Sequence, residues 1–360
     1  MRWFLISLVL GGLGVLIPIW YISGSVSPKY KKSVVQYDPI TAELEYRQEK
    51  VQAIKEKIKD IEVDKKVQEI LDKLEKPQLK DLNNKLLEEL KSLVPTEQLN
   101  GLEALIEDLR IVWEPDQRKV EIGKNYYKNY CMTCHGFEGD SLPVTPEGLR
   151  ADLGYPIFAR DFTGKYHRDG KVVFKYASSF AGEMASDNDL KKIIKEGLPG
   201  TPMPGYPYLT DSEIDYILEY IKSLNHRWKF YKGRERMYPT PPTDLDQRVE
   251  SGRQTFQSIC IACHRNPEQG EEPLEQPLAW YKFDKDGKIL KDEFQTVRAR
   301  YFGKEPLRRG EPEEIFVTIQ EGIAGSTMTP WRHIGEEKIW DLVAYVIYLQ
   351  QQGGNRNASR

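Results

Sequence analysis

The chain has 360 residues, 39% of them hydrophobic and 30% charged, a length that allows two or three domains of ordinary size. Its formal net charge is only −3, so no chain-wide basic field points to a nucleic-acid partner. All four cysteines fall in two C-x-x-C-H motifs, which leaves none for a disulfide.

The first predicted element is an uncharged segment that runs from Trp3 to Ile22. About 20 apolar residues can cross a hydrocarbon core of roughly 30 Å, and Trp residues stand near both ends of the segment, as they do at membrane interfaces. A cleaved signal peptide is the alternative, but the run exceeds a usual signal-peptide core, and Ser23–Ser27 offers no clear A-x-A cleavage site. Residues 1–28 are therefore expected to form an N-terminal transmembrane helix.

Residues 29–116 have the pattern of a charged, amphipathic helical arm. Their apolar positions recur at intervals of three, four and seven, which is helix periodicity, with one slip between Ile61 and Val63. Pro77 and Pro95 divide the pattern into three helices, and the slip argues against a long coiled coil. We expect an arm that docks against a neighbouring subunit. A rigid stalk or a small self-packed bundle is the alternative that the sequence leaves open.

The first C-x-x-C-H motif is Cys131-Met-Thr-Cys134-His135, and such a motif marks the covalent attachment of c-type haem. Its two thiols add across the haem vinyl groups, and its His supplies one axial ligand to the iron. The opposite axial ligand has to come from a segment distant in sequence. Met203 suits this role because Pro and Gly residues on both sides keep it on an irregular loop.

A linker and a second motif follow. Residues 226–246 are basic in their first half and rich in Pro in their second, which is typical of a solvated connector, although the basic half could also meet acidic partners or lipid headgroups. The second motif is Cys260-Ile-Ala-Cys263-His264, and Met328 is the one Met that follows it.

The two motifs lie in a sequence repeat. Residues around the first motif recur 129 positions later, and residues of its Met loop and of the final helix recur 125 positions later. The matched pairs are Gly123 and Gly252, Tyr127 and Phe256, Cys131 and Cys260, Met203 and Met328, and Tyr220 and Tyr345. Met184 and Met237, the other candidates near the first motif, have no such counterpart. The repeat therefore favours Met203 and Met328 as the second axial ligands.

Each repeat unit resembles a class I cytochrome c domain, in which a helix with Gly and an aromatic residue precedes C-x-x-C-H and a final helix crosses it after a Met loop. The segment Ala159–Thr163 and the long insert after it are similar to the first half of bacterial dihaem cytochromes with an R-D-F element. Arg265 departs from the family, which usually has Gly after the His. The resemblance covers residues 117–351.

The resemblance implies a mainly α chain, with the transmembrane helix and helical arm followed by two tandem cytochrome c domains at residues 117–225 and 247–351. Residues 352–360 are expected to form a disordered tail. Two haem c groups are implied as cofactors. Cys131 and Cys134 would hold the first and Cys260 and Cys263 the second, and the iron ligands would be His135 with Met203 and His264 with Met328.

The function implied is a one-electron relay. Because c-type haem is attached outside the bacterial cytoplasmic membrane, both haem domains are expected on the periplasmic side of this inner membrane. The arm and anchor suggest a subunit of a respiratory or photosynthetic electron-transfer complex, or a mainly structural haem subunit of one. Met/His ligation favours a high reduction potential.

An enzyme is the alternative. Dihaem cytochrome c peroxidases have a comparable length and two C-x-x-C-H motifs, but a peroxidase needs one iron with an open or displaceable position. The two matched Met loops argue against this. His167, His226 and His333 are the remaining histidines, and they are expected to be surface or structural residues because the Met loops already supply the sixth ligands.

Overall fold

The structure is a computed structural model that is mainly helical. Within the part of the chain that it describes, three hydrophobic cores form three successive units: a helical bundle, domain one and domain two. The described residues are 38–59, 64–140, 149–150, 154, 156–157, 159–163, 184–233, 235, 237–278, 282–283, 289–290, 295–323 and 328–358.

The expected membrane anchor, residues 1–28, lies outside the described residues. Of the helices that are described, none is both long and apolar enough to cross a membrane. The anchor therefore stays a prediction from the sequence.

The helical bundle contains four helices where the sequence pattern predicts three. They are α1 (Pro39–Ile58), α2 (Lys65–Leu74), α3 (Lys80–Leu93) and α4 (Thr96–Glu107). Pro77 and Pro95 separate helices as expected, and the break that the prediction misses lies between α1 and α2, where the apolar periodicity slips. The Asp64 side chain caps α2 by accepting a hydrogen bond from the backbone N–H of Lys66. Among the described residues, one helix thus ends at Ile58, before the slip, and the next begins at Lys65, after it.

The apolar stripes of the four helices are buried against one another. One core contains side chains from all four helices, among them Val51 and Ile54 of α1, Leu71 of α2, Leu87 of α3 and Ile106 of α4. The apolar faces of these helices are therefore covered within the bundle itself, and docking against a neighbouring subunit stays a prediction. The arm is a self-packed bundle, the alternative that the sequence left open.

Domain one is built on the crossing of α5 (Gln117–Tyr130) and α8 (Asp211–Ser223). Gly123 makes this crossing possible, because a Cβ there would overlap the backbone carbonyl of Tyr216. The rings of Tyr127 and Tyr220 pack across the same crossing, with centroids 5.0 Å apart. The remaining elements are α6 (Met132–His135), β1 (Leu149–Arg150), β2 (Pro156–Ile157), α7 (Asp187–Glu196) and α9 (Arg227–Phe230).

Domain two repeats the crossing with α10 (Val249–Thr255) and α13 (Glu336–Ala358). A Cβ on Gly252 would overlap the Asp341 carbonyl, and the rings of Phe256 and Tyr345 have centroids 5.2 Å apart. The other elements are α11 (Ile261–His264), α12 (Pro312–Glu321) and two antiparallel pairs, β3 (Glu275–Leu278) with β6 (Gln295–Arg298) and β4 (Lys282–Phe283) with β5 (Ile289–Leu290). The repeat of helix, glycine and aromatic partner is confirmed in both domains.

The prediction of a disordered tail at residues 352–360 is wrong for most of that segment, because α13 continues to Ala358. Gly353 lies within this continuation of the helix. Its backbone approaches Gly303 so closely that a Cβ would overlap the Gly303 carbonyl. A residue that favours a helix end in the sequence is used here for a close packing contact.

The expected solvated linker is also wrong in its first half. Trp228 and Phe230 of α9 are buried, and the carbonyl of Lys229 accepts a 2.7 Å hydrogen bond from the backbone N–H of Val112. The Lys229 ammonium pairs with Glu43 of the bundle. Aromatic residues alternate with the basic ones here, so the aromatic rings are buried while the cations find partners. Segment 226–231 is therefore the joint between the bundle and domain one.

Candidate haem-binding sites

His135 is held by a backbone carbonyl and an aromatic ring. Its Nδ1 lies 2.9 Å from the carbonyl oxygen of Arg160, and its ring stacks on Phe162 at a centroid distance of 4.6 Å. A carbonyl only accepts hydrogen bonds, so Nδ1 carries the proton and Nε2 keeps its lone pair. Burial lowers the pKa of His135 to about 4, which keeps the ring neutral near pH 7. This is the form of His that ligates a metal.

His264 has the same surroundings in domain two. Its Nδ1 lies 3.0 Å from the carbonyl oxygen of Arg300, and its ring stacks on Phe302 at 4.6 Å. Burial lowers the pKa of this imidazole as well. The two motif histidines are thus oriented by equivalent partners.

The residues that orient His264 were not found from the sequence. The segments are Ala159-Arg160-Asp161-Phe162 and Ala299-Arg300-Tyr301-Phe302, so an A-R-x-F pattern marks both. The resemblance to the R-D-F element singled out only the first. The second is 140 positions further on, whereas the rest of the repeat is shifted by 129 or 125, because domain two has a longer insert between its His and this segment.

The four motif cysteines are partly exposed, and none of them forms a disulfide. Cys131 ends α5, and its carbonyl accepts a 2.9 Å hydrogen bond from the N–H of His135, so the motif closes into one short helical turn. Burial raises the pKa of Cys131 and Cys260 to about 12. Such apolar surroundings disfavour a thiolate and suit an uncharged thioether.

Both Met loops begin at a glycine with a positive φ, 74° at Gly197 and 66° at Gly322. In each loop the Met carbonyl accepts a hydrogen bond from the residue after this glycine, with Leu198 N at 3.1 Å from Met203 O and Ile323 N at 3.0 Å from Met328 O. A Cβ on either glycine would clash with the Met carbonyl. Equivalent hydrogen bonds therefore close the two loops, and each depends on the glycine at its start.

The three methionines between the two motifs differ in solvent exposure. Met184 is a fully enclosed core residue of domain one, and Met237 is 85% exposed. Met203 is partly exposed and packs on the core of domain one, as Met328 does on that of domain two. This intermediate position suits a ligand at the border of a cofactor site. The iron-ligand roles of Met203 and Met328 stay predictions.

The remaining histidines lie apart from the two motifs or outside the described residues. His226 is in the joint, where its ring lies 5.9 Å from that of Tyr46 in the bundle, and His333 is exposed beside Trp331. His167 is among the residues that the structure does not describe. The position of His226 agrees with the structural role expected for it.

These residues fit haem c. Each domain has a neutral imidazole with a free nitrogen, a pair of cysteines in apolar surroundings and a glycine-dependent Met loop. In domain two, Nη1 of Arg300 is also buried; it makes no hydrogen bond within the described residues, and Oε2 of Glu305 lies 3.8 Å from it. A buried guanidinium N–H of this kind suits an anionic group such as a haem propionate.

Comparison with known proteins agrees with this fit. Residues 120–225 match the cytochrome c family, and residues 247–346 match the family of cbb3-type cytochrome c oxidase subunit III. Cytochrome c55X of Paracoccus denitrificans is 24% identical over 118 residues, which are 32% of this chain and 85% of that protein.

One solved structure is similar to this chain over more than a single domain. A chain of the reducing HAO-like protein complex of Kuenenia stuttgartiensis has a TM-score of 0.51 and 19% sequence identity, over 66% of this chain and 99% of that chain. At this identity the likeness concerns the fold alone. Two tandem cytochrome c domains thus follow the helical bundle, and the chain belongs to the cytochromes c with two such domains.

Proposed function

We propose that the protein is a one-electron relay with one haem c in each cytochrome c domain. The observation that carries this proposal is the duplicated arrangement of His135 and His264, each with Nδ1 on a backbone carbonyl and its ring on a phenylalanine. One free imidazole nitrogen per domain is what a separate haem requires. The proposed ligand pairs are His135 with Met203 and His264 with Met328.

Haem c, when bound, supplies a one-electron couple. The residues of this chain supply its position and its surroundings. The carbonyls of Arg160 and Arg300 set the orientation of the two imidazoles and increase their basicity. The apolar cores around Tyr127 and Phe256 exclude water from the same regions, and a Met thioether as the second iron ligand would favour a high reduction potential.

We also propose that the relay works at a membrane. The uncharged segment from Trp3 to Ile22 supports an anchor in the bacterial cytoplasmic membrane, with both haem domains on the periplasmic side. The bundle is proposed as the unit that binds other subunits of an electron-transfer complex. The apolar stripes of its helices are buried inside the bundle. Large apolar side chains that it leaves exposed include Ile40 of α1 and, at the start of α3, Leu79 and Leu82.

Haem content and ligand substitution test the relay. The purified protein is expected to contain two haems per chain in a haem assay and to show low-spin His/Met spectra. Because each Met loop serves one site, Met203→Ala and Met328→Ala should each remove about half of the red charge-transfer band of the oxidised protein. Met237→Ala is the matched control, because Met237 is solvent-exposed, and it should leave this band unchanged.

Two outcomes would overturn this proposal. A single haem per chain would show that one motif is not used. Sustained reduction of hydrogen peroxide by the wild type, together with a high-spin iron in the resting or half-reduced protein, would identify a peroxidase.

A further inference from the structure

The helices that precede the two Met loops carry equivalent carboxylates. Asp189 of α7 and Glu314 of α12 are 125 positions apart, the same shift as the Met loops themselves. Both are buried, with 7% of each side chain exposed, and one oxygen of each lies close to Nη1 of Arg309, at 3.4 Å for Asp189 and 3.6 Å for Glu314. The Arg309 side chain is only 5% exposed. One guanidinium of domain two therefore lies between matching acids of the two domains.

Further polar contacts complete this cluster. Lys192 of α7 places its ammonium 2.5 Å from Oε1 of Glu314, so a second ion pair crosses between the domains. Arg309 also donates a 3.2 Å hydrogen bond to the hydroxyl of Tyr238, in the second half of the linker. Two acids are thus balanced by two bases. Removing Arg309 alone would take a buried cation away from two buried carboxylates, Asp189 and Glu314, which is strongly unfavourable.

A separate contact joins the two candidate haem sites. Gly200 lies in the Met203 loop of domain one, and a Cβ there would come within 3.0 Å of Nη1 of Arg300 and 3.3 Å of Cγ of Pro306, both in domain two. The carbonyl of Arg300 is the group that orients His264. The Met loop of one site therefore packs against the segment that orients the axial His of the other.

We propose that Arg309 is the positioning residue that holds the two cytochrome c domains in this single placement, with the Met203 loop against the Arg300 segment, so that electrons pass directly between the two haem sites. This inference rests on the proposed function, because it requires a haem in each domain. Buried charges contribute little net stability in many proteins, and specifying one arrangement is a role that suits them better. Transfer between two cofactors depends steeply on their separation, so the placement of the domains controls the rate.

The test compares Arg309→Met with the wild type, both as the full haem-loaded chain. We expect the variant to have a larger radius of gyration in small-angle X-ray scattering and faster proteolysis between residues 235 and 246. After flash reduction, electron equilibration between the haems should slow by about tenfold or more, since small displacements of reacting groups have large effects on rate. The His/Met spectrum of each haem should be unchanged, because Arg309 contacts neither motif.

Two further variants make the result specific. Arg309→Lys keeps a cation between Asp189 and Glu314 and should retain the compact form and most of the rate. Arg332→Met is the matched control, because Arg332 also pairs with a buried acid, Glu321, but within domain two. It should leave the placement of the domains unchanged.

The inference is overturned if Arg309→Met stays compact and equilibrates its haems at the wild-type rate. If Arg309→Met fails to fold, the double variant Asp189→Leu with Lys192→Met removes the two cross-domain ion pairs from the side of domain one. Wild-type scattering and rate in that variant would also overturn the inference. A wild-type chain with only one haem would instead refute the proposed function, and the haem assay separates the two failures.

Discussion

Arg265 has a backbone conformation that favours glycine. Its φ is +56° and its ψ is −161°, and within the described residues it is the one non-glycine with a positive φ. The equivalent residue of domain one is Gly136, at φ +86°. Side chains in this region of backbone space cost about 1–3 kcal/mol. The departure from the family noted in the sequence is therefore a local strain, directly after the haem motif of domain two.

Arg265→Gly is expected to stabilise domain two by about 1 kcal/mol or more, because glycine adopts this conformation without a Cβ clash. Chemical denaturation of the haem-loaded protein, followed at the second haem, measures the effect. Gly136→Ala is the matched control in domain one and should change stability in the opposite direction. An unchanged or lowered midpoint for Arg265→Gly would show that the arginine side chain makes a compensating contact.

His226 gives the joint between the bundle and domain one a pH dependence. Burial, with a smaller effect of Arg227, lowers the pKa of His226 to about 4 from an ordinary 6.5. Between these values the unfolded chain binds more protons at this residue than the folded one, so stability is complete above pH 6.5 and is lost as the pH falls toward 4. Protonation of the imidazole is thus expected to weaken the joint.

The joint is therefore expected to open more readily at pH 5 than at pH 7, as measured by hydrogen exchange of α1 and α9. His226→Gln cannot be protonated, so its exchange should depend less on pH over this range. His333→Gln, a substitution at an exposed site, should behave as the wild type does. Equal pH dependence in the wild type and in His226→Gln would show that another group controls the joint.

At the scale of the elements, the sequence predicted structural features whose residues recur at a fixed spacing in both domains. Features without a fixed spacing could not be predicted from it. The helix crossings at Gly123 and Gly252 could be predicted because glycine and aromatic residues recur at fixed offsets from the two motifs. The A-R-x-F segments were matched only in part because inserts of unequal length change the offset. The packing of α9 was not predicted, because the basic residues of this segment suggested a solvated connector although aromatic residues alternate with them. The periodicity of one sequence indicates which face of a helix is apolar, but it does not indicate which surface that face packs against.

Gly123→Ala is expected to destabilise domain one by about 1–3 kcal/mol, because its Cβ would overlap the Tyr216 carbonyl and force α5 and α8 apart. The unfolding midpoint followed at the first haem measures this effect. The control is Gly101→Ala in α4, where a Cβ meets no atom within 4 Å. That substitution should be neutral or stabilise the bundle by about 0.5–1 kcal/mol. If Gly123→Ala leaves the unfolding midpoint unchanged, α5 and α8 can move apart at little cost in free energy.

At the scale of the whole molecule, the three units are coupled in series. The bundle is fixed to domain one through Tyr46, whose hydroxyl lies 3.1 Å from that of Tyr231 and whose ring lies 4.7 Å from Phe230. Domain one is joined to domain two by the cluster around Arg309. A subunit bound to the bundle would therefore have a defined position relative to both haem domains, which a flexible arm could not provide.

Deleting residues 38–110 tests the bundle as the assembly unit. The deletion has to stop before Trp113, because that residue packs on the core of domain one and lies 5.0 Å from the Lys222 ammonium. Both haems should stay attached with unchanged spectra, since the bundle contributes no residue to either motif. Domain one should lose some stability because Phe230 and Tyr231 become exposed. Co-purification with the proposed membrane complex should be lost. If the shortened protein still assembles and transfers electrons at the wild-type rate, the bundle serves as a spacer; if it fails to take up the first haem, the bundle belongs to the folding unit of domain one.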